Sequence, residues 1–214
     1  MKSLVIAGIV LSCAFSVGLR AQDDEFFHSE ANVSAIGTFN NHANGNGIRQ
    51  GSSDSGGVLA NYRYLFTKHH GVEVDYGFFK GTQHYTGAPG AGLFAYGIHN
   101  SVNEVTASYV YRQPMGRLVP YVSAGTGAVV FNPGPTIQGF TPATGTTSTT
   151  STQAKAAFVY GGGVDLGITK RLSVRVGYRG LLYKSPDFKV ITPFIKTGAI
   201  THLAEPVGGL TFRF

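Results

Sequence analysis

Residues 172–183 read LSVRVGYRGLLY. Leu172, Val174, Val176, Tyr178 and Leu182 share one parity, and Arg175 and Arg179 share the other. Successive side chains of a β-strand point to opposite faces, so this spacing predicts a strand with one apolar, aromatic face and one face carrying two guanidinium groups.

Seven further segments repeat the pattern. ANVSAIGTF (31–39) puts Val33, Ala35, Gly37 and Phe39 on one face. GGVLANYRYLF (56–66) sets Val58, Ala60, Tyr62, Tyr64 and Phe66 against Asn61 and Arg63. GVEVDYGFF (71–79) sets Val72, Val74, Tyr76 and Phe78 against Glu73 and Asp75, and SVNEVTASYVYR (101–112) sets Val105, Ala107, Tyr109 and Tyr111 against Glu104 and Arg112. LVPYVSAGTGAVVF (118–131) is small and apolar on both faces, which leaves its orientation open. AAFVYGGGVDLGI (156–168) places Phe158, Tyr160, Val164 and Leu166 opposite Asp165. ITHLAEPVGGLTFRF (200–214) places Leu210, Phe212 and Phe214 opposite Glu205, Thr211 and Arg213. No long 3.6-residue periodicity with caps competes with these eight strands.

The connections alternate as strictly as the side chains. TKHH, QPMG and TKR are short, whereas the first, third, fifth and seventh links are long and rich in Gly, Ser, Thr, Asn and Pro, among them 133–153 and 184–199. In an up-and-down sheet every second link falls at the same end, so one end carries tight turns and the other long loops. That is the asymmetry of an outer-membrane barrel, with periplasmic turns and extracellular loops. Closure into a barrel also leaves no strand edge.

Alternation alone does not say which way a barrel faces. A soluble lipocalin-like barrel would turn the same apolar face inward around a ligand. Three observations favour the membrane orientation: the loop asymmetry, the tyrosines suited to an aromatic girdle (Tyr62, Tyr64, Tyr109, Tyr111, Tyr178), and an export signal. Residues 1–21, MKSLVIAGIVLSCAFSVGLRA, combine one lysine, an apolar run from Leu4 to Val17 and a small residue at Ala21 ahead of QDDE. They read as a secretory signal peptide, with the barrel domain at 22–214. The run is shorter than the roughly 20 residues of a spanning helix, which weighs against an anchor. Cleavage ahead of Cys13, the single cysteine, is the lipoprotein alternative; it leaves a very short apolar region. The formal net charge is +6, and the basic residues are dispersed among aromatic and glycine-rich segments without forming a nucleic-acid patch.

With the aromatic faces toward lipid, Arg63, Arg112, Arg175, Arg179 and Arg213 point inward together with Glu73, Asp75, Glu104, Asp165 and Glu205. Eight strands enclose a space that side chains about fill, so the expected arrangement is an interior charge network that closes a polar lumen. Gly77, Gly177 and Gly209 would leave room for the arginine side chains. The alternative, a narrow passive channel for small solutes, lacks the excess of one sign that a selective constriction needs.

The segments GVEVDYGFF and RLSVRVGYRGLLY and the terminus GLTFRF resemble the eight-stranded outer-membrane β-barrel domain family, which includes the barrel of outer-membrane protein A and the opacity-like surface proteins. The resemblance implies an all-β, eight-stranded antiparallel transmembrane barrel in the bacterial outer membrane, and structural or surface-interaction roles more often than catalysis. Leu210, Phe212 and Phe214 look like the assembly signal read by the barrel-assembly machinery. The protein A type often adds a peptidoglycan-binding domain after its barrel; the sequence reads no further than Phe214, so tethering by that route is not expected. The partners implied are outer-membrane lipid and lipopolysaccharide, with a possible extracellular ligand at the loops, and a monomer with its N-terminus and Phe214 at the periplasmic side is expected.

Some barrels of this size hydrolyse lipid A acyl chains with a histidine and a serine two residues apart. IHNSVNE offers His99 and Ser101, but Glu104 has the opposite parity, so the group that would orient the base is missing locally. His69 and His70 sit in a turn, and His28, His42, His84 and His202 are scattered without metal-ligand spacing. No catalytic residue, cofactor or metal is expected. The loops offer Tyr85, Phe94 and Tyr96 as exposed aromatic candidates, the polar run TTSTTST (146–152), and His42 in a stretch whose Gly and Asn favour turns and mobility.

Overall fold

The computed structural model describes residues 26–45, 48–87, 95–138, 151–186, 188 and 198–214. The signal segment, Phe94 and most of TTSTTST lie outside the described residues. Ten strands run in chain order: β1 Ser29–Asn40, β2 Ala43–Gly45, β3 Ile48–Ser52, β4 Ser55–Leu65, β5 His70–Gly87, β6 Ala95–Arg112, β7 Leu118–Gln138, β8 Gln153–Gly167, β9 Leu172–Lys184 and β10 Ile200–Arg213. Eight of them form the wall. Each pairs antiparallel with its neighbour through β1, β4, β5, β6, β7, β8, β9 and β10, and β10 returns to β1, so the sheet closes.

Closure is completed at the terminus. Val33 faces Leu210 and Ala31 faces Phe212 across the β1–β10 ladder. The backbones of Ser29 and Phe214 exchange two hydrogen bonds of 2.9 and 3.3 Å. Each pairing satisfies backbone groups that hydrocarbon would leave without partners.

β2 and β3, a small hairpin in the first long link, were not expected. β3 continues the sheet beyond β4 by pairing with the distal part of β5, from Ile48 opposite Gly87 to Ser52 opposite Gln83. His42, expected in a mobile loop, packs against Gly51. β5 and β6 are also longer than the alternation suggested, and the reason is chemical. From Gly71 to Gly77 the outward residues of β5 are Val72, Val74 and Tyr76, and the inward ones include Glu73 and Asp75. Beyond Phe79 the order inverts: Lys80 and His84 point out, whereas Phe79 and Tyr85 are buried. β6 inverts at the matching height, with Ser101 and His99 outward and Val102 and Ile98 buried. The strands persist where their apolar face changes sides.

In the proximal part, Val33, Val58, Val74, Tyr76, Val105, Tyr109, Val122, Phe158 and Val176 are each about half exposed or more, a belt that water would not tolerate and lipid would. Aromatic side chains gather at two levels of it. Tyr62, Tyr64, Phe66, Tyr109, Tyr111, Phe212 and Phe214 lie near the short turns. Tyr178 is not at a strand end: it sits in mid-β9 beside Tyr160, their rings 6.5 Å apart, and both hydroxyls approach His202 Nε2, at 2.8 Å from Tyr160 and 3.4 Å from Tyr178.

Candidate functional site

The lumen is filled in tiers, and those nearer the short turns are ionic. Arg63 on β4 lies directly opposite Glu73 on β5, and Asp165 on β8 directly opposite Arg175 on β9. Each neighbouring pair is in contact, Arg63 Nη2 to Glu73 Oε2 at 2.7 Å and Arg175 Nε to Asp165 Oδ1 at 2.7 Å. The two pairs then lock across the lumen: Arg175 Nη1 reaches Glu73 at 3.2 Å and Arg63 Nη1 reaches Asp165 at 3.5 Å. Tyr121 lies against both guanidinium groups, its ring centre 4.6 Å from Arg63 and 4.8 Å from Arg175. A cation against an aromatic face in a desolvated site is attracted by the ring quadrupole.

Glycine makes space for that ring. A Cβ on Gly177 would lie 2.9 Å from the Tyr121 hydroxyl, and one on Gly163 would meet it at the same distance. The room expected for arginine at Gly177 is therefore Tyr121's. A Cβ on Gly77 would meet Glu104, and one on Gly209 would strike Ser34 and the Val33 carbonyl.

Below this tier, toward the short turns, Glu30 gathers Arg112 and Arg213. Its Oε1 accepts from Arg112 at 2.5 Å and Arg213 at 3.1 Å, and its Oε2 lies 3.5 Å from Arg63. Above it, Arg179 Nη1 donates to Glu104 at 2.8 Å and Glu205 at 2.6 Å. Arg179 Nη2 donates to Thr106, whose hydroxyl donates to Asp75 at 2.7 Å. All ten inward charges named from the sequence thus point into the lumen. Glu30, Asn61, Thr106 and Tyr121 belong with them and were not named. Glu30 shares the parity of Asn32 and Ser34, and starting the first strand one residue earlier would have included it.

Above Arg179 the ion pairs end and the filling becomes mainly apolar, with Gln50, Gln83 and Asn100 buried among it. Leu59, Phe79, Val102, Val129, Phe131, Val159, Leu181 and Leu203 fill the interior, all buried. Phe188, from the link after β9, enters this group with no exposed surface, its ring 6.3 Å from that of Phe131. Its φ of 48° lies in the left-handed region that non-glycine residues seldom adopt. Tyr85, expected as an exposed loop aromatic, has no exposed surface; its hydroxyl donates to the Pro186 carbonyl at 3.0 Å and accepts from Gln50. The side chain of Tyr96 lies outside the described residues.

His99 and Ser101 face outward into a shallow recess shared with Asp54, Lys80, Thr82 and Asn100. His99 Nδ1 is 2.7 Å from the Thr82 hydroxyl, and Glu104 is on the other side of the wall, bound to Arg179. His28 Nδ1 contacts the Leu65 carbonyl, His69 Nδ1 the Arg112 carbonyl and His70 Nδ1 the Tyr109 hydroxyl. Among the described residues no three His, Cys, Asp or Glu side chains converge as a metal site.

The sequence model described as the outer membrane protein beta-barrel domain matches residues 8–200. Two solved structures share the architecture. The crystal structure of Neisserial surface protein A is 16% identical, covers 87% of this chain and 97% of its own, and superposes with a TM-score of 0.56. The outer membrane protein OprG from Pseudomonas aeruginosa is 13% identical, covers 88% and 96%, and gives a TM-score of 0.57. No curated protein sequence matches the chain.

Proposed function

The chain belongs to the outer membrane protein β-barrel domain family and resides in the bacterial outer membrane, and from that premise we propose that it is a monomeric structural or surface-interaction barrel whose lumen does not conduct and which turns nothing over. The observation that carries this reading is the continuous filling of the interior: two ionic tiers anchored by Arg63, Arg175 and Arg179, then an apolar layer around Phe131 and Leu181. Ions meet arginine and carboxylate already engaged with each other, and beyond them a mainly apolar layer with few groups to replace a hydration shell. Residues 1–21 are removed on export, and the β10 face carrying Leu210, Phe212 and Phe214 is read by the assembly machinery. Lipid and lipopolysaccharide surround the aromatic belt, and contact with an extracellular ligand belongs to the long links. Glu104 lies inside the wall, so no carboxylate on β6 shares the face of His99 and Ser101, and an acid for acyl hydrolysis would have to come from another segment such as Asp54.

Single-channel recording of the chain from residue 22, refolded into a planar bilayer, tests the reading. A folded barrel verified by its heat-dependent gel shift is expected to give no reproducible steps. Steady steps that change when Arg175 or Glu73 is neutralised would replace it with a narrow passive channel.

A further inference from the structure

The wall is interrupted twice at one height. On the β4 side of β5 the ladder stops at Gly57 opposite Phe79 and resumes with β3 at Ser52 opposite Gln83. Between them the Ser53 amide donates to the Thr82 carbonyl at 2.9 Å, and the Ser53 hydroxyl accepts from the Thr82 amide at 3.0 Å. On the far side of β6 the register with β7 shifts between Ile98 and Asn100, where His99 alone spans the interval that Gly134, Pro135 and Thr136 occupy on β7. Bulges bend a strand and re-aim its side chains, and they recur beside functional sites. Between the two interruptions lies the outward recess, about 730 Å3, lined among others by Asp54, Lys80, Thr82, His99, Ser101 and Asn132. That is the size of a small-ligand site. Asn100 lines it too. The residue is 5% exposed, and neither the oxygen nor the nitrogen of its carboxamide has a hydrogen-bond partner. A carboxamide carries two donors and two acceptor lone pairs, and burying them unused costs free energy that an apolar residue would not. Gly81, directly opposite, has no side chain to screen it: a Cβ there would lie 3.9 Å from both Asn100 Oδ1 and Ser53 Oγ.

We infer that this recess binds a saccharide, presented by a glycolipid of the outer leaflet. Its chemistry is balanced: Lys80 is the one ammonium and Asp54 the one carboxylate among the lining residues, and the others supply hydroxyls, carboxamides, an imidazole, glycine and proline. A phosphate calls for an excess of cations, and a metal ion for an excess of carboxylates. Interleaved donors and acceptors suit the neighbouring hydroxyls of a sugar, each of which donates and accepts. His99 is held through Nδ1 by the Thr82 hydroxyl at 2.7 Å, which leaves Nε2, and Asn132 Oδ1 accepts from Thr152 at 3.2 Å, which leaves its amide donors. Placement selects the source of the sugar. The outer face of β5 runs Val74, Tyr76, Phe78, Lys80, and that of β6 runs Val105, Asn103, Ser101, so the recess opens sideways at the upper rim of the lipid-facing belt. A lipid headgroup lies at that height, and a soluble sugar would have to pass it. The inference rests on the surface-interaction role proposed above and names a partner for it.

The test is an amide NMR series on the isotopically labelled chain from residue 22, in phosphatidylcholine nanodiscs carrying rising amounts of glucosyl diacylglycerol. Saturable shifts at Lys80, Gly81, Asn100 and Ser101 are expected, and none with phosphatidylglycerol in its place. Binding should weaken at least about threefold in Asp54→Asn and in Asn100→Leu, as the loss of one hydrogen bond requires. Asp54 lies in the β3–β4 link outside the ladders, and the gel shift verifies that both variants are folded. Asn100→Leu is expected to resist guanidinium at least as well as the parent chain, because it removes a carboxamide without partners. Saturation by free maltose with no response to the glycolipid would assign the recess to a soluble saccharide and overturn the glycolipid. No saturable shift with either sugar, or an equal response to phosphatidylglycerol, overturns the proposal. Unchanged binding by folded Asn100→Leu overturns it too, since the carboxamide would then hold only a water. Single-channel recording on the same chain judges the closed lumen separately, so neither result decides the other.

Discussion

The two halves of the interior solve the same packing problem with opposite chemistry. Between the short turns and Arg179 the space inside the wall is occupied by paired charges; above Arg179 it is occupied by Phe79, Val102, Phe131, Leu181 and their neighbours. The outer surface of β5 and β6 changes in the opposite sense, from Val74 and Val105 to Lys80 and His99. On β5 and β6 the proximal part is therefore built like a membrane protein, apolar outside and polar inside, and the distal part like a water-soluble barrel. Backbone pairing runs unbroken along β5 through both. Solvent changes along the axis, and side-chain chemistry follows it while the ladder does not.

The difference predicts how each half fails. Removing one member of the ionic tier leaves its partners buried and uncompensated, which costs about 3–5 kcal/mol. Arg175→Met, which exposes both Asp165 and Glu73 to that penalty, is expected to lose this much in guanidinium unfolding of the lipid-embedded barrel, or to abolish the folded band in the gel-shift assay. Replacing the whole tier at once, with Arg63→Met, Glu73→Leu, Asp165→Leu and Arg175→Met, should recover most of that loss, because an apolar set of similar volume carries no desolvation cost. If the fourfold variant is as unstable as Arg175→Met, the proximal half needs charge for a reason other than mutual compensation, and the contrast between the halves becomes one of function.

In the distal half a single truncation creates a cavity without orphaning a charge. Leu181→Ala is expected to cost about 2–5 kcal/mol by the same unfolding measurement, with no dependence on the ionic tier. Combined with Arg175→Met it should be additive within about 0.5 kcal/mol, as separated sites are. Strong coupling would show that the halves are one cooperative unit. Gly177→Ala, at the junction of wall and ring, should cost about 1–3 kcal/mol, since Tyr121 must move to admit a methyl group.

The inversion also explains what the sequence disclosed. Where the apolar face looks outward, alternation and turn parity identify eight strands and the side on which ten charges lie, but not Glu30, one residue before the first segment. At Phe79 the same alternation continues with its faces exchanged, and read by polarity alone it resembles the end of a strand. Polarity therefore ends β5 and β6 too early, puts Tyr85 at the surface and gives no sign of β3. The distal filling left a trace in β9, whose inward positions run Arg175, Gly177, Arg179, Leu181, Tyr183 and turn from charged to apolar as the strand rises. β7 carried no such trace: small apolar residues on both faces left Tyr121 without a side until the ladders placed it opposite Gly163.

Tyr121 separates the contributions most finely, because its ring and its hydroxyl do different things. The ring lies against two guanidinium groups that are themselves engaged by carboxylates, so it supplements the ionic tier. Tyr121→Leu keeps apolar volume but loses the quadrupole, and about 1–2 kcal/mol is expected from two partly desolvated contacts. Tyr121→Phe retains the ring and removes only an oxygen packed against Gly163 and Gly177, so its effect should stay within about 0.5 kcal/mol. Equal losses in the two variants, measured by guanidinium unfolding, would mean that the hydroxyl carries the interaction. The proximal half would then be held by hydrogen bonding to that oxygen, and not by the cation against the ring.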